Sequence, residues 1–301
     1  MLSIRFWGTR GSIASPGKET VEFGGNTSCL ELRADGRLVI VDFGTGIRAL
    51  GGSLLANDLK KGPISADIFV THTHWDHIIG FPVFAPLFIP TSEFRIYGPV
   101  MPEGFTLHRA LELATDYPFW PVHISEFPAK LTFTDILETT LDLGDGLTVI
   151  SKMLNHPVIT LGYRFEYKGK TIAVVTDHEQ FWNPFGDESD PMYSAEADYE
   201  GRISAETENK KLTDFLVNAD ILVHDSSYTE AEYRNGKQNW GHTSYESAIK
   251  NSKIAGVRNL IIYHHEPSRT DEMLRGLAAQ YVENDSALKI ITAKEGLVLT
   301  I

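Results

Sequence analysis

The residues Thr71-His72-Thr73-His74-Trp75-Asp76-His77, set directly behind the apolar run Ile68-Phe69-Val70, constrain this chain more than any other stretch. Four side chains able to hold a metal fall within six residues. Successive side chains of an extended segment face opposite sides, so His72 and His74 leave the end of a strand pointing the same way. Asp76 and His77 follow in a loop or at a helix start, where an aspartate can also cap free backbone N–H groups. The spacing offers two imidazoles to one ion and a carboxylate with an imidazole to a second, about 3.5–4 Å away, as in two-metal hydrolytic sites. The competing reading, a surface loop rich in histidine by accident, leaves the position behind a strand unexplained.

These residues resemble the signature of the metallo-β-lactamase fold superfamily of hydrolases. The resemblance requires further ligands later in the chain. Asn155-His156-Pro157 ends the strand that starts near Leu147 and precedes the Gly162-Tyr163 strand, where the family supplies the third imidazole of its first metal. Asp177, in Thr176-Asp177-His178, ends the strand over 171–175 at the family's bridging-carboxylate position. His178 is either an accessory to the site or a surface residue. The run Leu260-Ile261-Ile262-Tyr263 leads into His264-His265, and alignment with the family's Leu-Thr-His ending selects His264, leaving His265 beside the site or exposed. The implied metal ligands are therefore His72, His74, Asp76, His77, His156, Asp177 and His264. Such an all-nitrogen and oxygen set suits Zn²⁺ first, with Mn²⁺ or Fe next.

The opening narrows the branch. Leu2, Ile4 and Phe6 alternate with polar residues as in a strand, which Trp7-Gly8-Thr9-Arg10-Gly11-Ser12 ends. Phe23-Gly24-Gly25-Asn26-Thr27-Ser28 feeds a strand through about Arg33, and Asp35-Gly36 makes a hairpin into Leu38-Val39-Ile40-Val41. This resembles the ribonuclease Z branch, whose members begin with a Gly-Thr-Gly-Ser-like turn and continue with Asn-Thr-Ser. Arg10 departs from that pattern; its guanidinium either holds a phosphate oxygen or sits in solvent. Asp42 either accepts a bond from a ligand histidine or closes the turn before a helix over 47–55. His224-Asp225-Ser226-Ser227 and His242-Thr243-Ser244 stand where the branch has His-Glu-Ala-Thr and His-Ser-Thr. The resemblance thus implies His242 as general acid, Asp225 as the carboxylate orienting it, and Asp76 in the catalytic metal set. Aspartate in place of glutamate is one methylene shorter, which puts its reach to His242 in question.

Elsewhere, three prolines between 81 and 90 predict a loop over one side of the active centre. Residues 103–114 read as a helix, and Tyr117-Pro118-Phe119-Trp120-Pro121 as a rigid aromatic loop that either fills core space or stacks on a substrate. The acidic stretch 183–208 reads as an inserted solvated loop or lid, followed by a helix over 209–217. A helix over 270–283 and strands near 288–291 and 297–301 close the chain. Strands in two batches with ligands at their ends fit an α/β sandwich. The four-layer α/β/β/α count, in one domain over 1–301, is what the family resemblance implies.

Composition bears on the substrate. A net charge of −13, from 27 basic and 40 acidic residues, opposes loose binding to nucleic-acid phosphates and gives no basic membrane patch. Cys29, the one cysteine, allows no internal disulfide. The N-terminus lacks a signal-peptide pattern and no run approaches the ~20 apolar residues of a span, so a cytoplasmic location is expected. Ribonuclease Z enzymes also carry a tRNA-binding arm after the Gly-Tyr strand. Here that strand returns through Lys168-Gly169-Lys170, which disfavours tRNA and suits a small-molecule phosphodiester. Arm-less cyclic ribose-phosphate phosphodiesterases of phosphonate catabolism look similar. The expected activity is dinuclear, metal-dependent hydrolysis of small or cyclic phosphodiesters by a metal-bridging hydroxide, in a monomer or homodimer. A lactonase or thioesterase of the same fold, or a metal-binding sensor without catalysis, are the alternatives.

Overall fold

The computed structural model describes residues 1–281 and 287–301. In chain order the strands are β1 (Leu2–Gly8), β2 (Cys29–Ala34), β3 (Arg37–Val41), β4 (Ser65–Phe69), β5 (Glu93–Pro99), β6 (Lys130–Ile136), β7 (Thr140–Asp142), β8 (Leu147–Leu154), β9 (Thr160–Tyr167), β10 (Lys170–Val175), β11 (Ile221–Asp225), β12 (Asn259–Tyr263), β13 (Lys289–Thr292) and β14 (Val298–Thr300). The helices are α1 (Ile47–Asn57), α2 (Trp75–Ile78), α3 (Leu107–Ala114), α4 (Ala195–Leu216), α5 (Glu230–Arg234), α6 (Tyr245–Ile254) and α7 (Asp271–Gln280). Two mixed sheets form, ordered β14-β1-β2-β3-β4-β5-β6 and β13-β12-β11-β10-β9-β8-β7.

The two-residue period of the strands explains the layers. On β3, Val39 and Val41 face the core between the sheets, where they meet Leu147, Tyr163, Ile172 and Val223. Leu38 and Ile40 face the other way, onto Ile47, Leu50 and Leu54 of α1 and Leu107 and Leu111 of α3. In the second sheet Ala173, Val175, Leu222 and Leu260 turn outward beneath Leu212 and Leu216 of α4 and Ala248 and Ile249 of α6. Strands covered on both faces carry continuous apolar runs, as β3 does over 38–41, β10 over 172–175 and β11 over 221–223. The result is the expected α/β/β/α sandwich.

Strands β3 to β6 run parallel in one sheet and β10 to β13 in the other. Both parallel sets end at the same edge, where open α/β sheets bind ligands. Cross-sheet bonds clamp that edge: Tyr163 donates its hydroxyl to the Val70 carbonyl at 2.7 Å and Tyr263 to the Gly8 carbonyl at 2.8 Å.

Several local expectations change. Residues 195–208 are helical, part of α4. Ser194 caps its start by accepting from the Ala197 N–H, and Glu196 and Asp198 lie in the first turn, where negative charge complements the helix dipole. The acidic composition that suggested a solvated insertion over 183–208 is partly a helix-start signal, and the buried residues of the helix, Leu212 and Leu216, lie in its C-terminal half. The proline-rich stretch forms two 3-10 turns, Phe81–Val83 and Ala85–Phe88, with prolines in the first positions where a missing N–H is harmless. Phe81, Phe84 and Leu87 fill the core under α1 rather than roofing the site. The helix expected from 103 starts at Leu107, capped by Thr106. Tyr117 and Phe119 are 64% and 73% exposed and so fill no core. The final helix runs from Asp271 to Gln280, and residues 282 and 283 of its expected span lie outside the described residues.

Candidate metal centre

Behind β4 the chain stays extended through His74 (φ −63°, ψ 151°) before α2 begins, so His72 and His74 face one side and Asp76 and His77 enter from the first helical turn. The ends of β8, β10 and β12 bring His156, Asp177 and His264 to the same place. The ligand atoms of His72, His74, His156 and Asp177 lie within 4.8 Å of one another, as do those of Asp76, His77, Asp177 and His264. In the first cluster His156 Nε2 is 3.1 Å from His74 Nδ1, and His72 Nε2 is 3.3 Å from Asp177 Oδ2. In the second, His264 Nε2 is 3.0 Å from Asp177 Oδ1 and 3.2 Å from Asp76 Oδ2, while His77 Nε2 is 3.3 Å from Asp177 Oδ2. Asp177 belongs to both.

The surrounding bonds choose which ring nitrogens face inward. His77 donates Nδ1–H to Asp42 Oδ2 at 2.7 Å and His156 donates Nδ1–H to the Gly241 carbonyl at 3.0 Å, which leaves each Nε2 as a lone-pair donor. Burial, then the neighbouring His77, push His72 down to about 3, so it is a neutral donor at ordinary pH. His72 Nε2 is buried without a hydrogen-bond partner. Lone pairs crowded this closely, with an orphaned nitrogen and two carboxylates, fit divalent cations of the zinc type.

Asp42 is the acceptor for a candidate ligand, as one of its two readings had it. It is fully buried and also takes the Thr71 N–H at 2.8 Å and the Ser28 hydroxyl at 2.9 Å. Asp42, Asp177 and His264 have φ of 64°, 59° and 60°, each within two residues of a strand end. Left-handed non-glycine residues cost about 1–3 kcal/mol each and gather at functional sites.

Beside the second cluster, His242 donates Nδ1–H to Asp225 Oδ2 at 2.8 Å, so the shorter carboxylate does reach. Asp225 Oδ1 takes the Ser227 hydroxyl at 2.9 Å. The His242 ring stacks on His264 with centroids 5.1 Å apart. Burial pushes the His242 imidazole down, but the carboxylates of Asp225 first, then Asp177 and Asp76, together outweigh it and hold the ring up to about 9.

Arg10 fits neither of its readings. It is fully buried, donating Nε–H to the Gly24 carbonyl at 2.7 Å and Nη1–H to the Arg269 carbonyl at 2.6 Å. It fastens the opening turn to the segment behind His265. His265 is likewise buried, with Nε2–H donated to the Ala293 carbonyl at 2.8 Å; burial pushes it down to about 3. His178 is buried, not on the surface: its Nδ1 accepts from the Asn155 N–H at 3.2 Å and its own N–H reaches Asp225 Oδ2 at 3.3 Å.

Contributions invisible to sequence reasoning come mostly from backbone atoms. The Ser12 N–H donates to Asp76 Oδ2 at 2.7 Å, and the Gly241 carbonyl orients His156. A Cβ on Gly11 would lie 2.3 Å from His264 ring atoms, so the opening turn packs directly on a candidate ligand.

Residues 23–181 match the family model described as "Metallo-beta-lactamase superfamily". Among curated relatives, the ribonuclease Z of Streptococcus suis (strain 98HAH33) is 29% identical over 234 residues, covering 67% of this chain and 72% of that protein. The metallo-beta-lactamase fold protein YhfI from Bacillus subtilis superposes with a TM-score of 0.65 at 17% identity over 100% of both chains. A diphosphatase from the PhnP family superposes with a TM-score of 0.64 at 16% identity, over 100% of this chain and 98% of that one.

Proposed function

The chain belongs to the metallo-beta-lactamase superfamily, and we propose that it is a dinuclear metal-dependent phosphodiesterase acting on small or cyclic phosphodiesters. His72, His74 and His156 would hold one ion and Asp76, His77 and His264 the other, with Asp177 shared. Bound divalent cations supply Lewis acidity toward a phosphoryl group and make water nucleophilic near neutral pH.

The observation that carries the reading is the His242 to Asp225 bond at 2.8 Å beside the two clusters. With Nδ1–H committed to Asp225, the His242 Nε2–H is the proton available to a leaving alkoxide. An alkoxide needs that proton far more than the thiolate released by thioester cleavage, while a lactone, which also releases an alkoxide, is separated by the substrate panel below. Asp225 also offsets the positive charge that cations would bring near His242. A small substrate is supported by the tight Lys168-Gly169 turn between β9 and β10, by the net charge of −13, and by a cavity of about 600 Å³. That cavity is lined by Thr73, Met101, Phe105 and Arg109, with Pro157 next to His156, a volume suited to one small molecule. The name of the Streptococcus relative favours a second reading, cleavage of an RNA phosphodiester.

The test is turnover of bis(p-nitrophenyl) phosphate by zinc-loaded protein, beside a cyclic nucleotide, a precursor tRNA, a lactone and a thioester. Hydrolysis of the small diesters supports the proposal. Brisk lactone or thioester opening without diester cleavage overturns it, and cleavage of the tRNA alone transfers the case to RNA.

A further inference from the structure

Glu179 follows Asp177 by two residues and is 3% exposed, yet it belongs to neither donor cluster. Its carboxylate instead gathers the loop between α5 and α6. Oε1 accepts from the Tyr233 hydroxyl at 2.5 Å and the Asn239 N–H at 2.9 Å, and Oε2 accepts from the Gly241 N–H at 2.9 Å. Asn239 and Gly241 have φ of 67° and 78°, a local winding that turns both N–H groups onto one anion.

That loop touches the site twice. The Gly241 carbonyl takes the His156 Nδ1–H, and the next residue is His242. A Cβ on Gly241 would lie 2.1 Å from His156 Nδ1, so loop backbone and imidazole are in direct contact. The Thr243 hydroxyl donates to the His178 carbonyl, tying down the far side. Three consecutive residues behind β10 thus divide the work. Asp177 enters both donor clusters, the His178 backbone holds Asp225 and Thr243, and Glu179 holds the strand of loop between them.

We propose that Glu179 is a positioning residue: by holding the Asn239 and Gly241 N–H groups it fixes the carbonyl that sets the His156 tautomer, and it places His242. The kinetic arm of its test rests on the phosphodiesterase reading; the metal-binding arm does not.

The experiment uses the full chain with Glu179→Gln, which keeps the size but turns an amide NH₂ against an N–H donor. Zinc affinity, measured by competition with a chromophoric chelator, is expected to fall about 10–100-fold for one of two ions. The kcat for bis(p-nitrophenyl) phosphate, referred to the folded fraction measured by circular dichroism, is expected to fall by a similar factor while KM stays within about 2-fold. Glu179→Asp keeps the charge with a shorter reach; it should give an intermediate loss, and it carries the test if glutamine prevents folding. Wild-type zinc affinities together with wild-type kcat in the variant overturn the proposal, as does a loss confined to melting temperature. Should the unmodified protein cleave no diester, the functional reading fails and the zinc measurement alone decides on Glu179.

Discussion

Asp42→Asn separates the charge of a buried acceptor from its shape. Asparagine tolerates the left-handed conformation that residue 42 adopts, so no backbone penalty enters. Asp42 receives His77 Nδ1–H at 2.7 Å, the Thr71 N–H at 2.8 Å, the Thr71 hydroxyl at 3.0 Å and the Ser28 hydroxyl at 2.9 Å. The two hydroxyls can rotate and accept from the new amide, and the Thr71 N–H can only donate. Without metal, burial lowers His77 but the Asp76 and Asp177 carboxylates raise it well above its ordinary value, so its Nδ1 donates too. Bonds to a charged acceptor contribute about 1.5–3 kcal/mol and to a neutral one about 0.5–1.5 kcal/mol, so these two lose about 1–1.5 kcal/mol each. The metal-free variant should be destabilised by about 2–3 kcal/mol in urea unfolding. With His77 no longer held, zinc affinity at its cluster should drop about 10–100-fold. A variant within about 0.5 kcal/mol of the wild type and with both zinc affinities unchanged would refute the reasoning.

His242→Ala should lower kcat about 10²–10⁴-fold while elemental analysis still finds two metals; loss of a metal would make His242 a ligand instead. Asp225→Asn removes the foremost of the carboxylates that hold His242 up to about 9. The imidazole then releases its proton at lower pH, and since the protonated ring is the donor, the alkaline limb of the rate profile should move down while the acid limb stays. An unmoved alkaline limb separates Asp225 from proton donation. Gly11→Ala drives a Cβ into the His264 ring and should reduce bound zinc from two ions toward one, read by elemental analysis. Stripping the metals should lower the unfolding free energy by about 2.7 kcal/mol per site relative to protein in zinc at a hundred times Kd, and coincident melts would argue against structural coupling.

The candidate ligands legible in the sequence are those whose geometry is local. Residues 71–77 announce themselves because four donors follow one strand, and their meaning survives without the rest of the fold. His156, Asp177 and His264 could be picked out only by their order and their places behind strands, since each alone is an ordinary polar residue. Asp42 stayed open because its partner His77 is thirty-five positions away and nothing in a sequence measures that distance. Arg10 looked available for an anion because a turn arginine is normally solvated. Its burial depends on carbonyls near residue 269, which come from the far end of the chain. The first half of α4 was hidden by the same acidic residues that stabilise its start. Glu179 drew no notice because the groups it holds include two backbone N–H groups, identical in every residue but proline.

If two ions bind as proposed, the shared Asp177 would couple them. One carboxylate group facing both donor sets means that an ion arriving on one side changes the charge and the angle offered to its neighbour, by the same free energy whichever arrives first. Loading curves for the pair should therefore be interdependent. Selectivity among zinc, manganese and iron would then be a property of the couple, and trace contamination by one metal could decide which other the protein retains.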